Sequence, residues 1–245
     1  VANSFETPSL LYMGDGSGNY TAVPQAIPQD AFSFGDVEPG DVDGDGDLDL
    51  VLADWGPGNA LNNDGGRTRL WLNNGLGKFT DATEDQMPDL LVRFSWELEL
   101  ADVDNDLDLD VVVSCKSCSG SYLFHNDGSG NFTWVEDGLP QYSNNYDFEL
   151  MDITGDGFLD MVTINDGPGL KEHLFVNTGD GTFVDETDLR WPEIFNVGED
   201  DNAARFLDAD SDGDSDIVIG SLSGKDRLLT LQEGAIIGVT DLTTG

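Results

Sequence analysis

Four clusters of aspartate recur along this chain with the same internal spacing, and that repetition constrains the fold more than any other feature. They run Asp41-Val-Asp43-Gly-Asp45-Gly-Asp47-Leu-Asp49, then Asp102-Val-Asp104-Asn-Asp106-Leu-Asp108-Leu-Asp110. The third is Asp152-Ile-Thr154-Gly-Asp156-Gly-Phe158-Leu-Asp160 and the fourth Asp208-Ala-Asp210-Ser-Asp212-Gly-Asp214-Ser-Asp216. Their starts, at 41, 102, 152 and 208, lie 61, 50 and 56 residues apart. A period of this size marks a repeat architecture. A second motif alternates with the first: Arg69-Leu-Trp-Leu-Asn-Asn-Gly-Leu-Gly-Lys-Phe79-Thr-Asp81, echoed from Tyr122 to Thr133, from His173 to Asp185 and from Leu11 to Thr21. Alternating apolar residues, a Gly-rich turn and an aromatic opening the next strand form a β-hairpin signature. A degraded copy, with most turn glycines gone, runs from Arg227 to Asp241.

Each repeat therefore holds four strands, A to D. Strand A precedes the Asp loop, as in Phe94–Leu100 and Phe148–Met151, and B follows it at Leu50–Leu52, Asp110–Val113, Met161–Ile164 and Ile217–Ile219. Strand B is rich in Val, Ile and Leu, as a buried inner strand should be. The hairpin supplies C and D. Four-stranded units repeated radially make a β-propeller, so the expected fold class is all-β, a propeller of four-stranded blades. A β-sandwich would not require the same loop and hairpin four times in the same order. One domain spanning 1–245 is expected: a half blade over 1–30, then repeats over about 31–90, 91–143, 144–195 and 196–245. The half blade has strands C and D only. Either five blades close irregularly, or the ring takes further blades from a longer chain or a second copy.

The Asp spacing has a chemical reading. Ca²⁺ takes six to eight hard oxygen ligands in flexible geometry. Side chains at loop positions 1, 3 and 5, a carbonyl at 7 and a carboxylate at 9 can converge on one ion, with Gly at 6 for the sharp turn. The expected ligands are Asp41, Asp43, Asp45, Asp47 and Asp49 in the first loop, and Asp102, Asp104, Asp106, Asp108 and Asp110 in the second. The third offers Asp152, Thr154, Asp156, Phe158 (through its carbonyl) and Asp160, and the fourth Asp208, Asp210, Asp212, Asp214 and Asp216. About four ions are implied. An EF-hand would need Glu at position 12 between helices; here position 12 is Leu52, Val113, Thr163 or Ile219, inside an apolar strand. Leu107 stands at position 6 of the second loop, and Thr154 is a neutral ligand in the third. The competing reading of any one cluster is an Asx-type turn with solvated carboxylates.

The alternation of D-x-D-G-D-G-x-x-D with L-x-x-N-x-G-x-G-x-F-x-D resembles the FG-GAP/VCBS repeats of integrin-α-like β-propellers, over about Leu10 to Asp241. The resemblance implies Ca²⁺ in the loop between strands A and B, in agreement with the ligand argument. It also implies a ring of six to eight blades, which favours the missing-blade closure.

With 49 acidic and 10 basic residues the formal net charge is −39. Such a field repels nucleic acid and anionic membranes, so neither is an expected partner, and no run is apolar enough for membrane insertion. Bound divalent cations or a salty medium would offset the self-repulsion; an acidic surface of the marine or halophilic type accounts for the rest. The first residues, Val1-Ala2-Asn3-Ser4, carry no leader signature, as in a mature form or an excerpt. Two cysteines, Cys115 and Cys118, suit a loop-stapling disulfide in an oxidising compartment better than half a zinc site or a redox pair. The expected location is extracellular, secreted or at the cell surface.

The A–B loops and C–D turns share one end of the strands, and the B–C and D–A loops the other. The long B–C loop from Asp54 to Arg67 offers Trp55, Asn59 and Arg67, and the D–A loops add Tyr142, Asn144 and Trp191, a set suited to a glycan or an extracellular protein. The alternative for the two tryptophans is packing between blades. Asn19 and Asn131 fit the N-glycosylation pattern but sit in hairpin turns, where Asn is expected for conformation. There is no G-x-S-x-G elbow and no H-E-x-x-H, and the acidic pairs belong to the repeat. The expectation is not an enzyme but an adhesion or recognition module. A structural subunit of a surface layer or filament, built by self-association, is the alternative, and a domain of a polysaccharide-active enzyme follows behind.

Overall fold

The computed structural model describes residues 8–29, 32–57, 64–167 and 169–242. Among the described residues, eighteen strands and two short helices follow one another in a simple order. A two-stranded hairpin, β1 (Tyr12–Gly14) and β2 (Tyr20–Ala22), comes first. Four antiparallel sheets follow, each of four strands consecutive in the chain. The first is β3 (Phe34–Gly40), β4 (Asp49–Asp54), β5 (Arg69–Asn73) and β6 (Phe79–Asp81). The second is β7 (Leu98–Ala101), β8 (Asp110–Val113), β9 (Tyr122–Asn126) and β10 (Phe132–Trp134). The third is β11 (Asn145–Met151), β12 (Asp160–Asn165), β13 (His173–Asn177) and β14 (Phe183–Asp185), and the last β15 (Asp201–Leu207), β16 (Asp216–Ser221), β17 (Arg227–Gln232) and β18 (Ala235–Asp241). These are the A, B, C and D strands of the sequence repeats.

Two compact units divide the chain. The first holds the described residues up to Ala101 with Leu107–Val113 and Tyr122–Val135, that is, the hairpin and the first two sheets. The second holds Asp102–Asp106, Ser114–Ser121 and the residues from Glu136 onward, with the last two sheets.

The B strands carry the interior. All four residues of β8 and all six of β12 are buried, as the apolar composition of these runs requires. In the second unit, Val162, Ile164, Leu174, Ile217, Ile219 and Leu229 form one continuous core with Trp191 and Ile236. In the first, Phe34, Leu52 and Trp71 pack with Ile27, and Trp55 packs with Phe94 and Trp96.

Three local features depart from the sequence expectation. The A strand expected at Phe94–Leu100 begins only at Leu98, because Phe94 adopts φ 56° and turns its ring against Trp55. The A strand expected at Phe148–Met151 begins earlier, at Asn145, with an irregular register between Asn145 and Asp147. Two one-turn helices, α1 (Thr83–Gln86) and α2 (Thr187–Arg190), follow strand D in the first and third sheets. Each begins where an Asp carboxylate accepts a backbone N–H two residues on, Asp81 from Thr83 and Asp185 from Thr187, both at 2.9 Å. The final hairpin keeps its form without the Gly-x-Gly loop: Glu233 and Gly234, at φ 49° and 72°, make a tight turn in which both central residues have positive φ.

Candidate functional site

The four Asp loops join strand A to strand B in every sheet, and their backbones are alike. Positions 4 and 6 both take positive φ in all four: Gly44 and Gly46 (73° and 91°), Asn105 and Leu107 (60° and 77°), Gly155 and Gly157 (74° and 93°), Ser211 and Gly213 (66° and 99°). Only position 6 is expected from the sequence. Position 4 carries its own signal, since Gly, Asn, Gly and Ser are turn formers. Leu107 holds the left-handed conformation despite its Cβ and with its side chain in solvent, so the second loop keeps the shape that glycine gives the others.

That double turn gathers carboxylates. Ligand atoms of Asp41, Asp43 and Asp49 lie within 4.8 Å of one another, as do those of Asp102, Asp104 and Asp106, and those of Asp208, Asp210 and Asp212. In the first loop, Asp43 accepts the Asp45 N–H at 3.2 Å and Asp45 accepts the Asp47 N–H at 2.9 Å, which orders the turn. Asp41 Oδ1 is buried and receives no donor from the protein. Burial and then neighbouring carboxylates push the Asp43 carboxyl above its ordinary value. Asp210 is raised in the same direction, by loss of water contact and by Asp212 and Asp216. Hard oxygen donors packed together with no basic side chain among them form a donor set that fits a divalent cation of the calcium type.

The third loop is different. Asp152 spends both oxygens on backbone donors, Gly155 at 2.7 Å, Asp156 at 3.0 Å and Gly157 at 3.0 Å. Its Asp156 accepts the Phe158 N–H. With Thr154 at position 3, this loop alone among the described four shows no group of three converging carboxylates.

Position 9 has a role that the spacing alone does not reveal. Asp49, Asp110, Asp160 and Asp216 are all buried. One oxygen of each accepts a backbone N–H from the end of strand C in its own sheet: Asn73 at 2.7 Å, Asn126 at 2.9 Å, Asn177 at 3.0 Å and Leu231 at 2.9 Å. In three loops the other oxygen accepts an N–H near the loop start, from Val42, Ile153 or Ala209. The Asn of the L-x-x-N motif completes the lattice. Asn126 Nδ2 donates to Leu109 O of its own repeat and to Val42 O of the preceding Asp loop; Asn177 Nδ2 donates to Leu159 O and Val103 O. The two motifs alternate in the sequence because each holds the other in place. Position 7 contributes packing: the Asp47 and Asp108 carboxylates lie against Gly75 and Gly128, whose φ of 74° favours glycine.

At the opposite end of the strands, most residues expected to meet a ligand are engaged within the protein. Trp55 is buried against Phe94 and Trp96, and its indole N–H donates to Ser95 O. Arg67 caps α1, donating to Thr83 O at 3.1 Å, Met87 O at 2.6 Å and Pro88 O at 3.2 Å. Tyr142 is buried beside Ser121, and burial raises its phenol pKa. Asn144 takes φ 62° and its carbonyl accepts the Asp166 N–H. Trp191 packs in the core of the second unit, and Asn59 lies outside the described residues. Each of these described residues is therefore engaged within its own unit. Cys115 and Cys118 are joined by a disulfide, with Cα atoms 5.4 Å apart. Asn19 and Asn131 bond back to Asp15 and Asp127 in their turns.

Four-stranded antiparallel sheets repeated in sequence order, with equivalent loops at equivalent ends, define a repeat protein of the β-propeller type. The sequence matches the FG-GAP-like repeat four times, over residues 1–52, 59–113, 102–163 and 152–219. The chain belongs to the FG-GAP-like repeat family. Its fold is similar to that of an Agrocybe aegerita lectin, solved for its specific recognition of non-reducing terminal N-acetylglucosamine. The TM-score is 0.62 at 19% identity, over 98% of this chain and 61% of the lectin chain. It is also similar to BBS1N, solved in complex with ARL6DN, with a TM-score of 0.50 at 14% identity, over 98% of this chain and 62% of the other. The chain spans about three fifths of the length of these two structures. No curated protein matches it significantly in sequence. Among the described residues no helix is long and apolar enough to cross a membrane.

Proposed function

We propose that this chain is an extracellular recognition module whose Asp loops are loaded with calcium and whose B–C and D–A loops meet a glycan or a protein. The observation that carries the reading is the convergence of three carboxylates in each of three loops, including a buried Asp41 oxygen that no protein donor reaches. Asp41, Asp43 and Asp49 would hold one ion, Asp102, Asp104 and Asp106 a second, and Asp208, Asp210 and Asp212 a third. The third loop, whose Asp152 is satisfied by backbone donors, would bind weakly. An ion would supply positive charge where carboxylates repel, and its role is to stiffen the A–B end rather than to catalyse. Recognition is then left to the other end of the strands. The similar lectin fold, and the similar fold bound to a protein partner, support a binding role at the level of fold. We read the chain as a binding protein and not an enzyme, and the disulfide supports an oxidising location.

Isothermal titration of chelated protein with CaCl₂ tests the metal reading, with about three tight sites expected. Immobilised glycans and extracellular-matrix proteins, probed in calcium and then in EDTA, test recognition. Capture in calcium that is lost in EDTA is expected; capture of nothing in either medium would sink the recognition reading.

A further inference from the structure

A cavity of about 410 Å³ opens in the second unit where β13 begins, and α2 with the loop after it forms its other wall. It lies at the B–C/D–A end, away from the Asp loops. Its volume falls within the range of small-ligand sites, roughly 300–1,000 Å³. The equivalent position in the first sheet shows how the space arises. There Arg67, two residues before β5, folds over the end of α1 and bonds three carbonyls. Its counterpart Lys171, two residues before β13, instead turns outward to Glu193 at 2.9 Å. Thr83 and Thr187 otherwise play the same part in both sheets, each accepting a strand C N–H. One change of side-chain direction leaves the end of α2 uncovered.

The walls carry buried polar atoms, among which Glu172 faces Asp201 and the Trp191 indole N–H has no acceptor. Glu172 is fully buried and neither carboxyl oxygen meets a donor, while Asn196 holds its backbone on both sides, at 3.2 and 2.8 Å. The Trp191 indole N–H is buried and unpartnered. At the mouth, Asp185 and Asp188 are exposed acceptors, and His173 stands 3.5 Å from Asp185, backed by the Tyr142 and Phe175 rings.

We propose that this cavity is a saccharide subsite for one neutral pyranose unit, with Asp185 and Asp188 accepting from ring hydroxyls at the mouth and Glu172 and Trp191 forming the deep wall. This rests on the recognition reading above and places the glycan in the third repeat rather than around Trp55. The chemistry selects the class. Asp185 and Asp188 at the mouth, with the one lysine already paired to Glu193, exclude an anionic ligand. The polar walls disfavour a lipid, and the concave, small volume does not admit a protein loop. An ammonium ligand would meet the carboxylates at the mouth but no negative charge in the deep wall, where burial, then Asp201, raises the Glu172 pKa and burial lowers that of His173.

The test is saturation-transfer NMR and titration calorimetry on the calcium-loaded protein with methyl hexosides, methyl N-acetylhexosaminides and, as a rival, butylammonium. At least one neutral glycoside should bind. Asp188→Ala should weaken it about tenfold, the loss expected for one charge-assisted hydrogen bond, with an unchanged melting temperature. Asp188→Trp, which fills the mouth, should abolish binding. Glycoside binding untouched by both variants would overturn this site while leaving recognition intact. Binding of butylammonium in place of glycosides, or capture of matrix protein with no glycoside bound, would also overturn it. Loss of all recognition would instead remove the reading beneath it.

Discussion

Leu107 shows what one residue contributes to these loops. It holds φ 77° at a position where the other three loops place glycine, and a left-handed residue with a Cβ costs about 1–2 kcal/mol. Leu107→Gly should therefore stabilise the protein by about 1 kcal/mol, read as a higher urea midpoint at unchanged slope. The motif asparagines carry the opposite expectation. Asn126 and Asn177 each donate two hydrogen bonds, one buried and one half-buried, that tie an Asp loop to its own strand C and to the preceding loop. Asn126→Ala or Asn177→Ala leaves buried carbonyls without donors and should cost about 1–3 kcal/mol in thermal or urea unfolding. The Asp spacing made the loop positions legible in the sequence. That position 9 is a structural staple was not legible, because its partners lie 15 to 24 residues away on strand C.

Among the elements, the strands follow the apolar pattern closely, and the connections are where side-chain packing decides. Phe94 delays β7 because its ring belongs with Trp55, a pairing 39 residues apart that no local pattern encodes. The loop before β13 shows a buried charge network of the same non-local kind. Arg227 pairs with Asp201, both fully buried, and Glu172 faces Asp201. Burial first and Asp201 second raise the Glu172 pKa above its ordinary 4.5, against the pull of Arg227. The folded state thus keeps a proton that the unfolded chain releases, so this group's contribution is greatest below 4.5 and is lost as pH rises towards the raised value. Glu172→Gln, uncharged throughout, should flatten the decline. Melting temperatures of the two proteins should diverge with rising pH, the variant becoming the more stable; parallel curves would contradict a protonated Glu172.

For the whole molecule, charge is the governing quantity. At −39 the chain repels itself, and the clustered loops concentrate that repulsion. Chelation with EDTA should lower the melting temperature, since a ligand of the native state stabilises it by mass action. NaCl at about 1 M, where screening reaches within about 3 Å, should restore part of the loss. An unchanged melting temperature in EDTA would refute structural calcium. The sequence by itself determined the repeat, the strand order within each sheet and the left-handed turn at position 6, because these depend on spacing, periodicity and backbone sterics. Only the tertiary structure decided which carboxylates converge in a loop and which serve as staples to strand C. It also decided that Trp55 and Arg67 are engaged inside the fold, and that a cavity opens beside Trp191. Those outcomes depend on which buried polar atoms find partners far along the chain, and burial, not spacing, sets that choice.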